Sequence, residues 1–141
     1  MAISQCICNS YKLEILQGIH LASHTYKIAL FTSDATLDKD TASYTSLTDE
    51  VVGAGYTVGG QELLGFTTTL INDTAIMDFT TDPSWPSATI RARGALIYND
   101  SLPGKNAVAV LDFGIDYIST NGTFTITLPA PGETTAIVRI V

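Results

Sequence analysis

The sequence predicts an all-β domain: a jelly roll or β-sandwich of about eight strands with one short N-terminal helix. Three observations carry this reading. Threonine is abundant, and valine, isoleucine, tyrosine and phenylalanine recur in short bursts, as strands require. The bursts are separated by clusters of glycine, proline, asparagine and aspartate, the residues of turns. The chain has 141 residues, 45% of them hydrophobic and only 15% charged. That length favours one domain, residues 1–141, able to bury about two-thirds of its unfolded surface.

The elements follow in order. Residues 9–18 read as the helix: Asn9 or Ser10 can cap it, Leu13, Ile15, Leu16 and Ile19 give a mixed apolar stripe, and Gly18 can stop it. So short a helix must be held by packing. Residues 24–32 form the first clear strand, with Tyr26, Ile28 and Leu30 alternating with Lys27, Ala29 and Phe31. Residues 32–49 are a polar excursion with at most a helical turn. Residues 50–58 read as a strand broken by Gly53 and Gly55. Residues 63–71 and 74–80 are two strands joined at Asn72–Asp73, a plausible two-residue turn because both side chains tolerate positive φ. Residues 81–87, with Pro83 and Pro86 around Trp85, read as a loop. Residues 88–98 and 107–113 are strands, the second nearly all apolar, as a strand covered on both faces is. Between them, residues 99–106 form a surface loop by their Pro103–Gly104 and asparagine content. Asn121–Gly122 is the strongest hairpin signal and leads into residues 123–128, where Phe124, Ile126 and Leu128 alternate with threonines. Residues 135–141 close the chain as an eighth strand.

Composition excludes several classes. The balance of 7 basic against 14 acidic residues gives a net charge of −7, and a basic face for nucleic acid is hard to assemble from so few cations. High hydrophobicity with low charge excludes a disordered chain. No apolar run approaches the roughly 20 residues of a membrane helix, and the N-terminus lacks the basic and apolar regions of a signal peptide. Cys6 and Cys8 are too close for an unstrained disulfide and read as small apolar side chains of a terminal segment in a reducing cytoplasm.

Searches for chemistry find little. Gly53, Gly55 and Gly59 miss the dinucleotide-loop spacing, and Gly104–Lys105–Asn106 lacks the rest of a phosphate loop. His20 and His24 stand four apart, but no third ligand accompanies them. Asp34, Asp38 and Asp40 do not fit a calcium loop. Asp112 and Asp116 flank Gly114; a pairing of Asp112 with Arg91 or Arg93 is the plainer reading. The expectation is a non-enzymatic protein with no cofactor and no metal, acting through surfaces. Trp85, Tyr44, Tyr56, Tyr98 and Tyr117 fall in or beside predicted loops, where aromatics either cap the core or anchor an interface.

Taken together, several phrases resemble a known group. They run from Tyr11 to His20, from Tyr26 to Ser33, from Asp49 to Gly60, from Ala88 to Asn99, from Ala107 to Gly114, and from Ala136 to Ile140. The chain resembles small structural proteins of tailed bacteriophages, nearest to head-decoration, or cement, proteins with a jelly-roll-like fold. The resemblance covers almost the whole chain and rests on strand-and-turn phrases, not on a reactive motif. It implies a virion protein on the capsid exterior, made in the host bacterial cytoplasm, that binds the major capsid protein and forms a dimer or trimer. A net charge of −7 suits a place away from packaged DNA. The candidate interface residues are Ile3, Cys6, Ile7 and Cys8 in the N-terminal segment, Tyr44 in the excursion, and Trp85. The alternatives are a tail or fibre-attachment component, or a carbohydrate-binding module with Trp85 and nearby tyrosines as its platform.

Overall fold

The two richest strand signals become the two halves of one long hairpin. In the computed structural model, which describes residues 2–141, β6 (Ser84–Asn99) runs antiparallel to β7 (Ala107–Thr125). The turn between them holds Lys105 at φ 48°. β2 (Tyr26–Phe31) pairs with β6 over Gly94 to Asn99, and β3 (Gln61–Leu63) pairs with β2. On the other side, β1 (Cys6–Ile7) sets Cys6 opposite Val110 and Ile7 opposite Ala109. The resulting sheet has the order β1-β7-β6-β2-β3. A second sheet, order β4-β5-β8, is built from β4 (Phe66–Ile71), β5 (Thr74–Phe79) and β8 (Val138–Ile140).

Both sheets are antiparallel, and their five-plus-three division supports the sandwich among the expected architectures. Aromatic rings bridge them: Tyr26 of β2 stacks on Phe66 of β4 at 5.2 Å and tilts against Phe79 of β5 at 5.7 Å. The buried set is continuous through Ile28, Leu30, Phe31, Leu96, Ile97, Val108 and Val110, all fully buried. Each such side chain contributes about 1.5–3 kcal/mol of apolar burial.

The helix, α1 (Asn9–Leu16), forms where expected, and Gly18 follows it at φ 70°. Its N-cap is Cys8, which makes no side-chain cap; neither Asn9 nor Ser10 serves. Only Tyr11 is buried on it, so packing of one face, together with the 17–24 turn, holds the helix. The polar excursion contains a single 3-10 turn (Tyr44–Ser46), capped by Ser43 Oγ accepting from the Thr45 N–H at 3.1 Å.

Four predicted boundaries need correction. Residues 50–58 form no strand; only an isolated bridge joins Glu50 to Phe31. Gly55, Gly59 and Gly60 there have φ of 83°, 99° and 80°, and a Cβ on Gly60 would lie 1.8 Å from the Ile28 carbonyl oxygen. Close backbone approach, not strand geometry, is what those glycines serve. The strand predicted over 63–71 splits at Gly65 (φ 77°). The Trp85 loop is the start of β6, and Pro86 sits at a bulge, between Trp85 paired with Phe124 and Ala88 paired with Gly122. Finally, Asn121–Gly122 is no hairpin turn but an irregularity inside β7. A type I′ turn needs positive φ at both residues; only Asn121 has it, at 48°. Asn72–Asp73 does join β4 to β5, with Asn72 at φ 51°.

Candidate functional site

The far half of the hairpin positions a cavity. Ala92 pairs with Tyr117 and Gly94 with Asp112, so four residues, 113–116, bulge out of β7 opposite the single Arg93. Gly114 permits this with φ 81°. Two ion pairs staple the bulge to β6: Arg91 meets Asp116 at 3.0 Å and Arg93 meets Asp112 at 3.5 Å. Both are partly solvated, so each contributes at most about 1 kcal/mol. Within the bulge, Phe113 packs edge-on against Tyr117 at 6.0 Å and lies 6.5 Å from Phe124.

This ring cluster forms one wall of a groove of about 730 Å³. Cys6 and Ile7 of β1 line it on one side, and Ile126, Leu128 and Ile137 on the other. Of its lining residues, Tyr117 and Ile118 are exposed, at 50% and 63% of their full accessibility. The edge of β7 carries β1 only opposite Ala109 and Val110; among the described residues no other strand pairs with that edge. Among the described residues, charge reaches this groove only from Asp112 and Arg139. Residues 117–132 contain no aspartate, glutamate, lysine or arginine, the longest such run in the chain. Edges of soluble proteins are commonly guarded by charges, prolines or bulges. This one has bulges, and its carboxylates, Asp112 and Asp116, are paired with arginines of β6.

The sequence-predicted interface residues divide. Ile3 is buried: a Cβ on Gly94 would meet its Cγ2 at 2.8 Å. Cys8 is fully buried, and burial, followed by the neighbouring Cys6, pushes its thiol up to about 12. Trp85 is only 4% exposed, packed 6.0 Å from Tyr56 and 6.1 Å from Phe124. The expectation that its ring is available at the surface is therefore corrected: β6 turns it inward. Tyr44 is half-buried, stacked on Tyr98 at 4.5 Å, and its hydroxyl donates to Glu50 at 2.5 Å. Glu50 also accepts from the Tyr56 hydroxyl at 2.5 Å and the Gly59 N–H at 2.7 Å. That network fastens the 50–60 loop and pushes the Tyr44 and Tyr56 hydroxyls up, chiefly by burial and then by the carboxylate. Of the six, Cys6 and Ile7 reach the groove.

Tyr117, one of the aromatics that the sequence marks as core cap or interface anchor, lines the groove; Phe113, Ile118 and Phe124 carry no such mark. The absence of charge after Asp116 is the signal that could mark Ile118 and Phe124. Among the described residues no cluster of three or more metal-ligating side chains forms, and no helix is long and apolar enough to cross a membrane. Compared with protein-family models, curated proteins and solved structures, the chain matches none.

Proposed function

We propose that this chain is a non-enzymatic structural protein of a tailed-phage virion, one that binds the capsid shell and stabilises it as a decoration protein. The observation that carries the reading is the charge-free stretch of β7 from Tyr117 onward, with Tyr117 and Ile118 exposed beside the groove. Exposed apolar patches rimmed by polar residues mark protein contacts. The resemblance of the strand-and-turn phrases to phage head proteins supplies the partner class, the major capsid protein. Self-association into a dimer or trimer belongs to the same proposal, since closed symmetric contacts suit repeated positions on a shell. Many copies then add weak contacts into high avidity. The carbohydrate-module reading loses its platform, because Trp85 is inside.

Quantitative mass spectrometry of purified particles tests the proposal. The expected result is a copy number equal to, or a simple fraction of, that of the major capsid protein. A handful of copies would assign the chain to the tail or portal vertex instead, and absence from the particle would overturn the virion reading. Ile118→Lys, which charges the rim without touching the core, is expected to lower occupancy while leaving the fold intact.

A further inference from the structure

Asn99 closes β6 fully buried, and its side chain is the hub of a polar cluster. Its Oδ1 accepts from the Ser101 N–H at 3.1 Å. That contact fixes the amide, so Nδ2 faces two imidazoles: His20 Nδ1 at 3.1 Å and His24 Nδ1 at 2.8 Å. An amide NH₂ can only donate. Both Nδ1 atoms must therefore carry lone pairs. His20 Nε2 then bears the hydrogen and donates to Glu14 Oε1 at 2.7 Å, while Glu14 Oε2 accepts from Asn106 Nδ2 at 2.7 Å. The Leu21 N–H also points at His24 Nδ1, at 3.4 Å. The cluster joins α1 and the 17–24 turn that follows it to the two ends of the β6–β7 turn, which lie far away in sequence.

We infer that this cluster is an acid-sensitive latch, which holds α1 and the 17–24 turn against the β6–β7 turn only while both imidazoles are neutral. Protonation at Nδ1 sets N–H against NH₂ on each histidine. Turning the amide over would restore acceptance but leave the Ser101 N–H facing NH₂. Two imidazolium rings would then crowd one oxygen. The groups that face them are few. His20 meets Glu14 and Tyr11 of α1, Tyr26 of β2 and Asn99 of β6, with Tyr11 ring to ring at 4.7 Å and Tyr26 at 6.4 Å. Around the β6–β7 turn, Asp100 is already paired with Lys105 at 2.8 Å and Lys27 at 3.7 Å. Among the described residues, Glu14 is thus the one carboxylate bonded to either ring, against two new charges. Release would free α1, which already exposes Leu13 and Leu16, at 58% and 86%. β1 would stay anchored, since the Cys8 N–H donates to the Val108 carbonyl at 3.0 Å and the Asn9 N–H to Lys39 at 2.8 Å. The inference does not depend on what the protein binds.

Backbone hydrogen exchange of the full chain at about pH 7.5 and about pH 5, corrected for intrinsic rates, tests it, because histidines in general change charge across that span. Residues 10–24 are expected to lose about tenfold or more of their protection in acid, the worth of one or two hydrogen bonds, while β2 keeps its own. Asn99→Asp is expected to reverse the sign, because a carboxylate there accepts from protonated Nδ1 and repels its lone pair. Should that variant not fold, the paired substitution His20→Gln with His24→Gln is expected to abolish the acid response, since neutral amides accept at any pH. Unchanged protection of residues 10–24 in acid, or the same acid response in the wild type and in the variants, overturns the latch.

Discussion

The near and far halves of the β6–β7 hairpin are made by the same two strands and behave as different materials. In the near half, Gly94 to Asn99 pairs with β7 on one side and β2 on the other, and β1 covers Ala109 and Val110. Ala107 to Val110 are buried throughout. In the far half, the ladder shifts register between Trp85 and Ala88, between Ala88 and Ile90, and between Ala92 and Gly94, against one shift in the near half, between Ile97 and Tyr98, and among the described residues neither outer edge carries a strand. Flanking strands, not the residues' own propensity, decide which half is core. A strand with neighbours on both sides buries both faces and reads as continuous apolar sequence. A strand with one neighbour alternates and tolerates bulges.

The largest expected contrast comes from side-chain truncation. Leu96→Ala, in the near half and fully buried, is expected to cost about 2–5 kcal/mol in denaturant titration. Ile118→Ala, in the far half and 63% exposed, is expected to change stability by less than about 0.5 kcal/mol. Comparable losses would mean that the groove is packed core in solution, and the comparison would break. Next comes the joint between the halves. A Cβ on Gly94 would sit 2.6 Å from the Leu111 carbonyl oxygen and 2.8 Å from Ile3 Cγ2. Gly94→Ala is therefore expected to cost about 1–3 kcal/mol by overpacking.

A carboxylate on the smaller sheet tests the same rule that neighbours decide. Asp78 of β5 is fully buried, its Oδ1 accepts from the Phe79 N–H at 2.8 Å, and its Oδ2 has no partner. Burial pushes its carboxyl above the ordinary range; the Phe79 N–H opposes this, and Asp82 nearby adds to it. The folded chain therefore holds this proton to higher pH than the unfolded chain does. Stability from this group is full in acid and falls as pH rises from the unfolded value through the folded one. Asp78→Asn is expected to remove that fall and to raise stability at neutral pH by about 1 kcal/mol, as read from melting curves across pH. The smallest effect belongs to the staple of the bulge. The Arg91 side chain is 69% exposed, so Arg91→Ala is expected to cost less than about 1 kcal/mol. A larger loss would show the bulge to be a rigid part of the fold.

Much of the fold was legible because it is local. Tyr26, Ile28 and Leu30 announce β2 by alternation, the apolar run at 107–110 announces a covered strand, and Asn72 places the β4–β5 turn. The failures share a cause. Asn121–Gly122 has the residues of a hairpin, but it lies opposite Ala88 in mid-ladder, where β6 holds both flanks in one strand. Trp85 sits between turn-forming residues, but pairing with Phe124 draws it into β6 and inward. The candidate site was less legible still. Its groove is walled by β1, by β7 and by the segment after β7, which no spacing rule brings together. His20 and His24 were visible as a pair four apart, but nothing near them in sequence points to Asn99, 75 residues beyond His24.

The sequence by itself determined the class: short β-branched and aromatic bursts cannot make a helical domain, and a charge of −7 with 45% hydrophobic residues makes an acidic chain with a real core. Period-two alternation and turn residues act within a few positions, so the chain's own stereochemistry settles them. Only the tertiary structure decided which edge stays open, which aromatic is buried and which side chains meet. Those outcomes depend on pairing between distant strands, where burial and hydrogen-bond partners are supplied by residues that local sequence does not specify.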